Sequence, residues 1–117
     1  MDNRITYRIK HVGINNADEA EARRTVALLC ALFGLEQAQE TPVAYFVDEL
    51  FEVMKNSDRG SRGHIAMQTE DVEAAMAELA ARGATFDEST IRRDENGTIN
   101  FIYLNGEIAG FQFHLTT

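Results

Sequence analysis

Hydrophobic and polar positions change their period several times along the chain. From Tyr7 to Ile14, apolar Ile9, Val12 and Ile14 sit among polar partners, and this predicts a strand in which Gly13 permits close packing. Asn16 and Glu19 then have the spacing of a helix N-cap with an acid three positions on. Ala22, Val26, Leu29, Cys30 and Phe33 keep helical spacing up to a stop at Gly34. Between Leu35 and Lys55 the helical period is lost. Val43–Val47 and Leu50–Lys55 read as strands around a turn at Asp48 and Glu49, with Pro42 marking a strand start. Residues 56–63 are polar with two glycines and read as a linker within the domain.

The order then repeats. His64 to Gln68 predicts a strand, Thr69 an N-cap, and Val72, Ala75, Met76 and Leu79 a second helix that Gly83 ends. Thr85–Arg92, Thr98–Leu104 and Ile108–Leu115 predict three strands, joined by turns at Asn96-Gly97 and Asn105-Gly106. His11-Val12-Gly13-Ile14 aligns with His64-Ile65-Ala66-Met67, and the same offset lays Asp18 on Asp71. Repeats of one supersecondary unit generally stack on a shared core. The expectation is one domain over 1–117, with module one about 5–56 and module two about 63–117, fused through a common sheet.

Composition narrows the function. The chain has 117 residues, of which 44% are apolar and 26% charged, enough for one packed domain. Its 11 Lys+Arg against 19 Asp+Glu leave a formal charge of −8, a field that repels nucleic acid. No stretch approaches the roughly 20 apolar residues of a membrane span, and Met1, Asp2, Asn3 and Arg4 lack a signal-peptide core. Cys30 is the single cysteine, which excludes an internal disulfide; it sits in the helical stripe as a small apolar residue. A cytoplasmic location is expected.

The chemistry-bearing residues fall at matched places. His11 and His64 open the paired strands, and Glu52 and His114 lie in the strands that close each half. Strand neighbours point to opposite faces. Phe51 and Val53 therefore face away from Glu52, and Phe113 and Leu115 away from His114. A curved sheet would aim all four side chains at one spot. Imidazole and carboxylate together suit Zn, Ni, Mn, Fe or Co as a single divalent ion. Such an ion would also relieve the cost of burying Glu52 and favour an anionic ligand. A lone strand histidine is more often a hydrogen-bonded structural residue, so the argument rests on the symmetry of the four.

His11-Val12-Gly13-Ile14, the Glu52 strand, Gly63-His64-Ile65-Ala66 with Thr69-Glu70-Asp71-Val72, and Gly110 to Leu115 resemble the vicinal oxygen chelate superfamily. That superfamily holds glyoxalase I, extradiol dioxygenases, methylmalonyl-CoA epimerase and bleomycin resistance proteins. The resemblance spans about residues 7 to 115. It implies an α+β fold, two βαβββ modules forming a curved mixed sheet cup, with metal ligands at His11, Glu52, His64 and His114. It also implies a small oxygen-chelating, anionic substrate and lyase, isomerase or epimerase chemistry through an enediolate-like intermediate, with either Glu52 as both ligand and base or water acting in its place. A non-catalytic binding protein and an Fe(II) dioxygenase are the alternatives. Catalytic members usually carry Glu where this chain has His114, and the segment from Gly34 to Gly63 is short for a glyoxalase. The Ile9 to Asn16 and Glu49 to Lys55 segments are also similar to a subgroup labelled 2-keto-3-deoxy-6-phosphogluconate aldolase. Schiff-base chemistry needs an activated lysine, and only Lys10 and Lys55 are present.

Three further residues are candidates for substrate binding. Arg59 and Arg62 can clamp a phosphate or carboxylate from the polar loop, or be plain solvated loop residues. Gln112 shares a strand face with His114. Asn15 shares one with His11, although capping would explain it equally. Arg92 and Arg93 precede a turn, where at least one must face solvent. A free sheet edge predicts a homodimer.

Overall fold

The computed structural model describes residues 4–117; Met1, Asp2 and Asn3, part of the segment read for a signal peptide, lie outside them. Ten elements follow in order: β1 (Arg8–Ile14), α1 (Glu19–Phe33), β2 (Gln37–Glu40), β3 (Ala44–Val47), β4 (Phe51–Met54), β5 (Gly63–Gln68), α2 (Val72–Ala81), β6 (Phe86–Arg93), β7 (Ile99–Leu104) and β8 (Phe111–Thr116). The fold is α+β. All strands join one mixed sheet in the order β2-β3-β4-β1-β5-β8-β7-β6. Its axis of pseudo-symmetry runs between β1 and β5, which pair antiparallel. On either side the opening strand of a half pairs parallel with its closing strand, β1 with β4 and β5 with β8. Among the described residues no helix is long and apolar enough to cross a membrane.

Both helices lie on one face. Ala22 and Val26 of α1 pack on Tyr45, Val47 and Val53, while Val72 and Ala75 of α2 pack on Ile99, Ile102 and Leu115. The shared core expected from the repeat is therefore two cores, one per half, joined by the sheet. Cys30 packs, partly buried, at the margin of the first.

The helix caps differ from expectation. Asp18 caps α1, its carboxylate accepting from the Glu21 amide at 2.8 Å, and Glu21 reciprocates by accepting from the Ala17 amide at 3.0 Å. Asn16 is instead buried. Its amide nitrogen donates to the Met54 and Ile14 carbonyls at 2.8 and 3.2 Å, and its oxygen accepts from Thr25 at 2.8 Å. It ties β1, β4 and α1 together, work that a cap exposed to water would not do. Likewise Asp71, not Thr69, caps α2 through the Ala74 amide at 3.0 Å. Thr69 is buried and its own amide donates to Thr116 at 2.9 Å, extending the sheet.

Two strand boundaries also move. β2 had no signal, because all four of its residues are exposed and it is held by backbone pairing to β3 alone. The last strand begins at Phe111 and not Ile108. Ile108 and Phe111 bridge across a tight turn at Ala109 and Gly110, both with positive φ.

The polar segment between the halves is pinned in place. The Asn15 amide donates to the Arg62 carbonyl at 3.0 Å and the Arg62 amide to Gly110 at 2.8 Å. The Asn15 side chain donates to the Gly60 carbonyl at 2.9 Å and accepts from the Asp58 amide at 3.3 Å. Gly60 has φ +78, and a Cβ there would stand 2.0 Å from the Gly63 carbonyl oxygen, so the tight path requires glycine.

Candidate metal centre

The face without helices gathers the predicted ligands. Register places them in two adjacent rows across the sheet. Glu52, Gly13, His64 and Gln112 are successive partners along one row, on β4, β1, β5 and β8. His11, Ala66, His114 and Tyr103 form the other, on β1, β5, β8 and β7. In each row a small residue separates two ligand-type residues. Nearest strands are about 4.8 Å apart, so the side chains must lean inward over that gap to meet. Gly13 makes this possible in the first row: a Cβ there would lie 2.0 Å from the His64 ring. His11 lies two residues before Gly13 in unbroken register, hence on the same face.

The resulting cluster is tight. One ring nitrogen from each of His11, His64 and His114 lies within 4.8 Å of the others. His64 Nε2 is 2.8 Å from Glu52 Oε1, His11 Nε2 is 3.5 Å from the same oxygen, and the two Nε2 atoms are 3.2 Å apart. Ligand atoms about 2.0–2.2 Å from one cation would be separated by about 3–3.5 Å. The His11–His64 and His11–Glu52 distances fall in that range, while His64–Glu52 is at hydrogen-bond distance. His64 and His114 are each 3% exposed, yet His64 Nδ1 has no hydrogen-bond partner. Three crowded imidazoles with one carboxylate against two of them form a donor set that fits a divalent transition metal.

Electrostatics prepare the ligands. Burial, reinforced by the charge of His64, pushes His114 down to about 3, so it is a neutral imidazole with one ring-nitrogen lone pair to offer. Burial alone would raise Glu52. Its hydrogen bonds to His11 and His64 and their charge outweigh this and hold it at about 2, ionised at any ordinary pH.

An aromatic wall stands beside His114. Phe101 lies 4.3 Å from the His114 ring centre, Tyr103 4.9 Å, and the two rings are 5.5 Å apart. Burial, with the charge of Asp58, raises the Tyr103 phenol to about 12, so it stays protonated. The Arg59 guanidinium lies 4.6 Å over Tyr103 and pairs with Asp87 at 3.6 Å. Arg92 lies 4.1 Å over Phe101. On the opposite side, Phe46 meets His11 edge-on at 5.9 Å. There Lys10, His11, Ala38, Gln39, Phe46, Asp48 and Glu49 line a cavity of about 600 Å³.

His11, His64 and His114 thus come together within one chain with Glu52 against His11 and His64, Gln112 stands beside His64 in the same row, and Arg59 reaches the wall. Arg62 is exposed at the rim, its side chain along Gly110. The sequence reading gave no role to Asn15 as the residue that fixes the Arg59 loop, nor to Arg92. For Arg92 the available signal was its place opposite the Phe101 strand.

No family model and no curated protein matches the sequence. Solved structures do. A hypothetical protein from Bacillus halodurans C-125 superposes with TM-score 0.66 at 15% identity, covering 95% of this chain and 94% of that one. Methylmalonyl-CoA epimerase from Mycobacterium tuberculosis gives 0.66 at 17%, covering 92% and 85%. A variant of the Streptomyces coelicolor methylmalonyl-CoA epimerase, in complex with 2-nitronate-propionyl-CoA, gives 0.64 at 22%, covering 97% and 98%. At such identities the likeness is one of architecture, and the chain has the glyoxalase-like fold of the methylmalonyl-CoA epimerases.

Proposed function

We propose that this protein is a metal-dependent enzyme of the epimerase or isomerase type, acting on a small anionic substrate at the His11, Glu52, His64 and His114 cluster. The observation that carries this reading is the convergence of three imidazoles within 4.8 Å of each other, with the Glu52 carboxylate 2.8 Å from one of them. The shared fold with epimerases supports it. A bound Zn, Ni, Mn, Fe or Co ion would supply Lewis acidity toward substrate oxygens. The chain's own groups do the rest. His11, His64 and His114 offer ring nitrogens to such an ion. Glu52 is the carboxylate at the cluster, so it is the group assigned to move a proton, and its basicity rises as its bonds to His11 and His64 loosen. Gln112 orients polar substrate atoms beside His64, and Arg59, with Arg62 at the rim, attracts the substrate's charge. No activated lysine is at hand for Schiff-base chemistry. Lys10 donates to the Thr117 carbonyl at 3.0 Å, and Lys55 is held charged by Glu40 at 2.6 Å, which raises its pKa. The protein acts as a homodimer, in a cytoplasmic setting.

Elemental analysis of protein purified without a metal-affinity tag tests the centre, with one equivalent of transition metal expected. Deuterium wash-in at the acidic carbon of a malonyl-type thioester tests the chemistry, and Glu52→Gln should abolish it. Metal content near zero in wild type would overturn the proposal. A second reading has its own observation. Glu52 contacts His11 and His64, which makes a two-histidine, one-carboxylate set of the kind used by Fe(II) oxygenases. Oxygen consumption by iron-loaded protein with a catechol would favour it.

A further inference from the structure

We propose that Arg92, with Arg59 beside it, forms an oxyanion-binding wall on the open face, and that the substrate therefore carries an anionic group separate from the oxygens that meet the metal. This rests on the reading of that face as the substrate site. Arg92 sits on the edge strand opposite Phe101 in the sheet register, hence on the face that carries His114. Its guanidinium stacks on the Phe101 ring at 4.1 Å, and Phe101 in turn lies 4.3 Å from His114. Arg59 repeats the arrangement on Tyr103.

Stacking uses the flat face of a guanidinium and leaves its in-plane N–H donors free for a carboxylate or phosphate. Asp87 shares the charge of Arg59. Among the described residues no carboxylate pairs with Arg92, which leaves its charge unspent. The two short steps from His114 to Phe101 to Arg92 also bound the separation between the anion and the metal-facing atoms to that of a small molecule. A chain with a formal charge of −8 repels anions at a distance, so a local pair of cations is what an anionic substrate needs to dwell there. The other half offers no counterpart, since Ala44 takes the place of Phe101 there, and Phe46, which takes the place of Tyr103, has Gln39 opposite it.

The test is calorimetric titration of chelator-treated and zinc-loaded protein with inorganic phosphate and, separately, succinate at low ionic strength. At least one anion should bind both forms. Arg92→Gln should weaken it by about ten- to a hundred-fold, the range of one charge-assisted pair, and Arg59→Gln by less. Arg93→Gln is the control, because Arg93 pairs with Ile99, which faces the helices, and bonds the Gly97 carbonyl. Preference between phosphate and succinate reports whether the substrate's anion is a phosphate or a carboxylate. Equal affinity in Arg92→Gln and wild type, or equal losses in Arg92→Gln and Arg93→Gln, would overturn the wall. Anion binding without zinc binding would instead sink the metal reading and leave the wall standing.

Discussion

The two halves of the sheet share a strand plan and differ in what they present. The first contributes His11 and Glu52, whose side chains remain 16% exposed, beside the 600 Å³ cavity with Gln39, Asp48 and Glu49. The second contributes His64 and His114, both nearly inaccessible, backed by Phe101, Tyr103 and two arginines. Duplication explains where the ligands sit, because matched strands of a two-fold sheet must meet at its centre. Divergence explains the chemistry. One wall is open and acidic, the other aromatic and cationic, so a substrate with unlike ends has one preferred orientation.

The sharpest way to break the comparison is at the small residues between the ligands, Gly13 in the first half and Ala66 in the second. Gly13→Ala drives a methyl into the His64 ring, at a distance no Cβ tolerates. Overpacking of this kind costs about 1–3 kcal/mol, and the displaced imidazole is a ligand. We expect zinc affinity to fall by well over tenfold, with a lower melting temperature, measured by competition with a chromogenic chelator and by calorimetry.

The next effect concerns charge. Between its unfolded value near 6.5 and its folded value of about 3, His114 binds a proton in the unfolded chain and not in the folded one. Stability therefore rises with pH across that window and is lost as pH falls. Glu52 acts in the same direction below 4.5, losing its contribution as pH approaches about 2. Metal-free protein should show a melting temperature that declines steadily on acidification below 6.5. His114→Gln should flatten the upper part of that decline and Glu52→Gln the lower. If His114→Gln leaves the profile unchanged, the buried wall of the second half is not what keeps that imidazole neutral.

Much of this arrangement was legible in the sequence because it depends on alternation. Glu52 between Phe51 and Val53, and His114 between Phe113 and Leu115, declare their faces by their neighbours, and the repeat of His11 at His64 declares the symmetry. What remained hidden depends on long-range register. β2 lacks any apolar alternation. Asn16 looks like a cap and is buried only because Met54 and Thr25 come to it. Arg92 became a candidate only once Phe101 was placed under it. The polar stretch 56–63 reads as a flexible linker by composition, and its order is imposed by Asn15 across more than forty residues.

That last point yields the mildest prediction. Asn15 joins the first half by its place directly after β1 and the second by holding the loop that carries Arg59 over Tyr103. Asn15→Ala removes the side-chain bonds to the Gly60 and Arg59 carbonyls and the one from the Asp58 amide. Partly exposed neutral bonds are worth about 0.5–1.5 kcal/mol each at most, and water replaces some of them. Global stability should drop by about 1 kcal/mol. Zinc binding should hold, since none of the four ligands touches Asn15. The informative readout is local: trypsin should cut after Arg59 or Arg62 faster than in wild type, while the two helices stay protected. Unchanged cleavage would mean that the backbone bonds from Asn15 to Arg62 and from Arg62 to Gly110 suffice to hold the loop. The side chain of Asn15 would then have no part in joining the two walls.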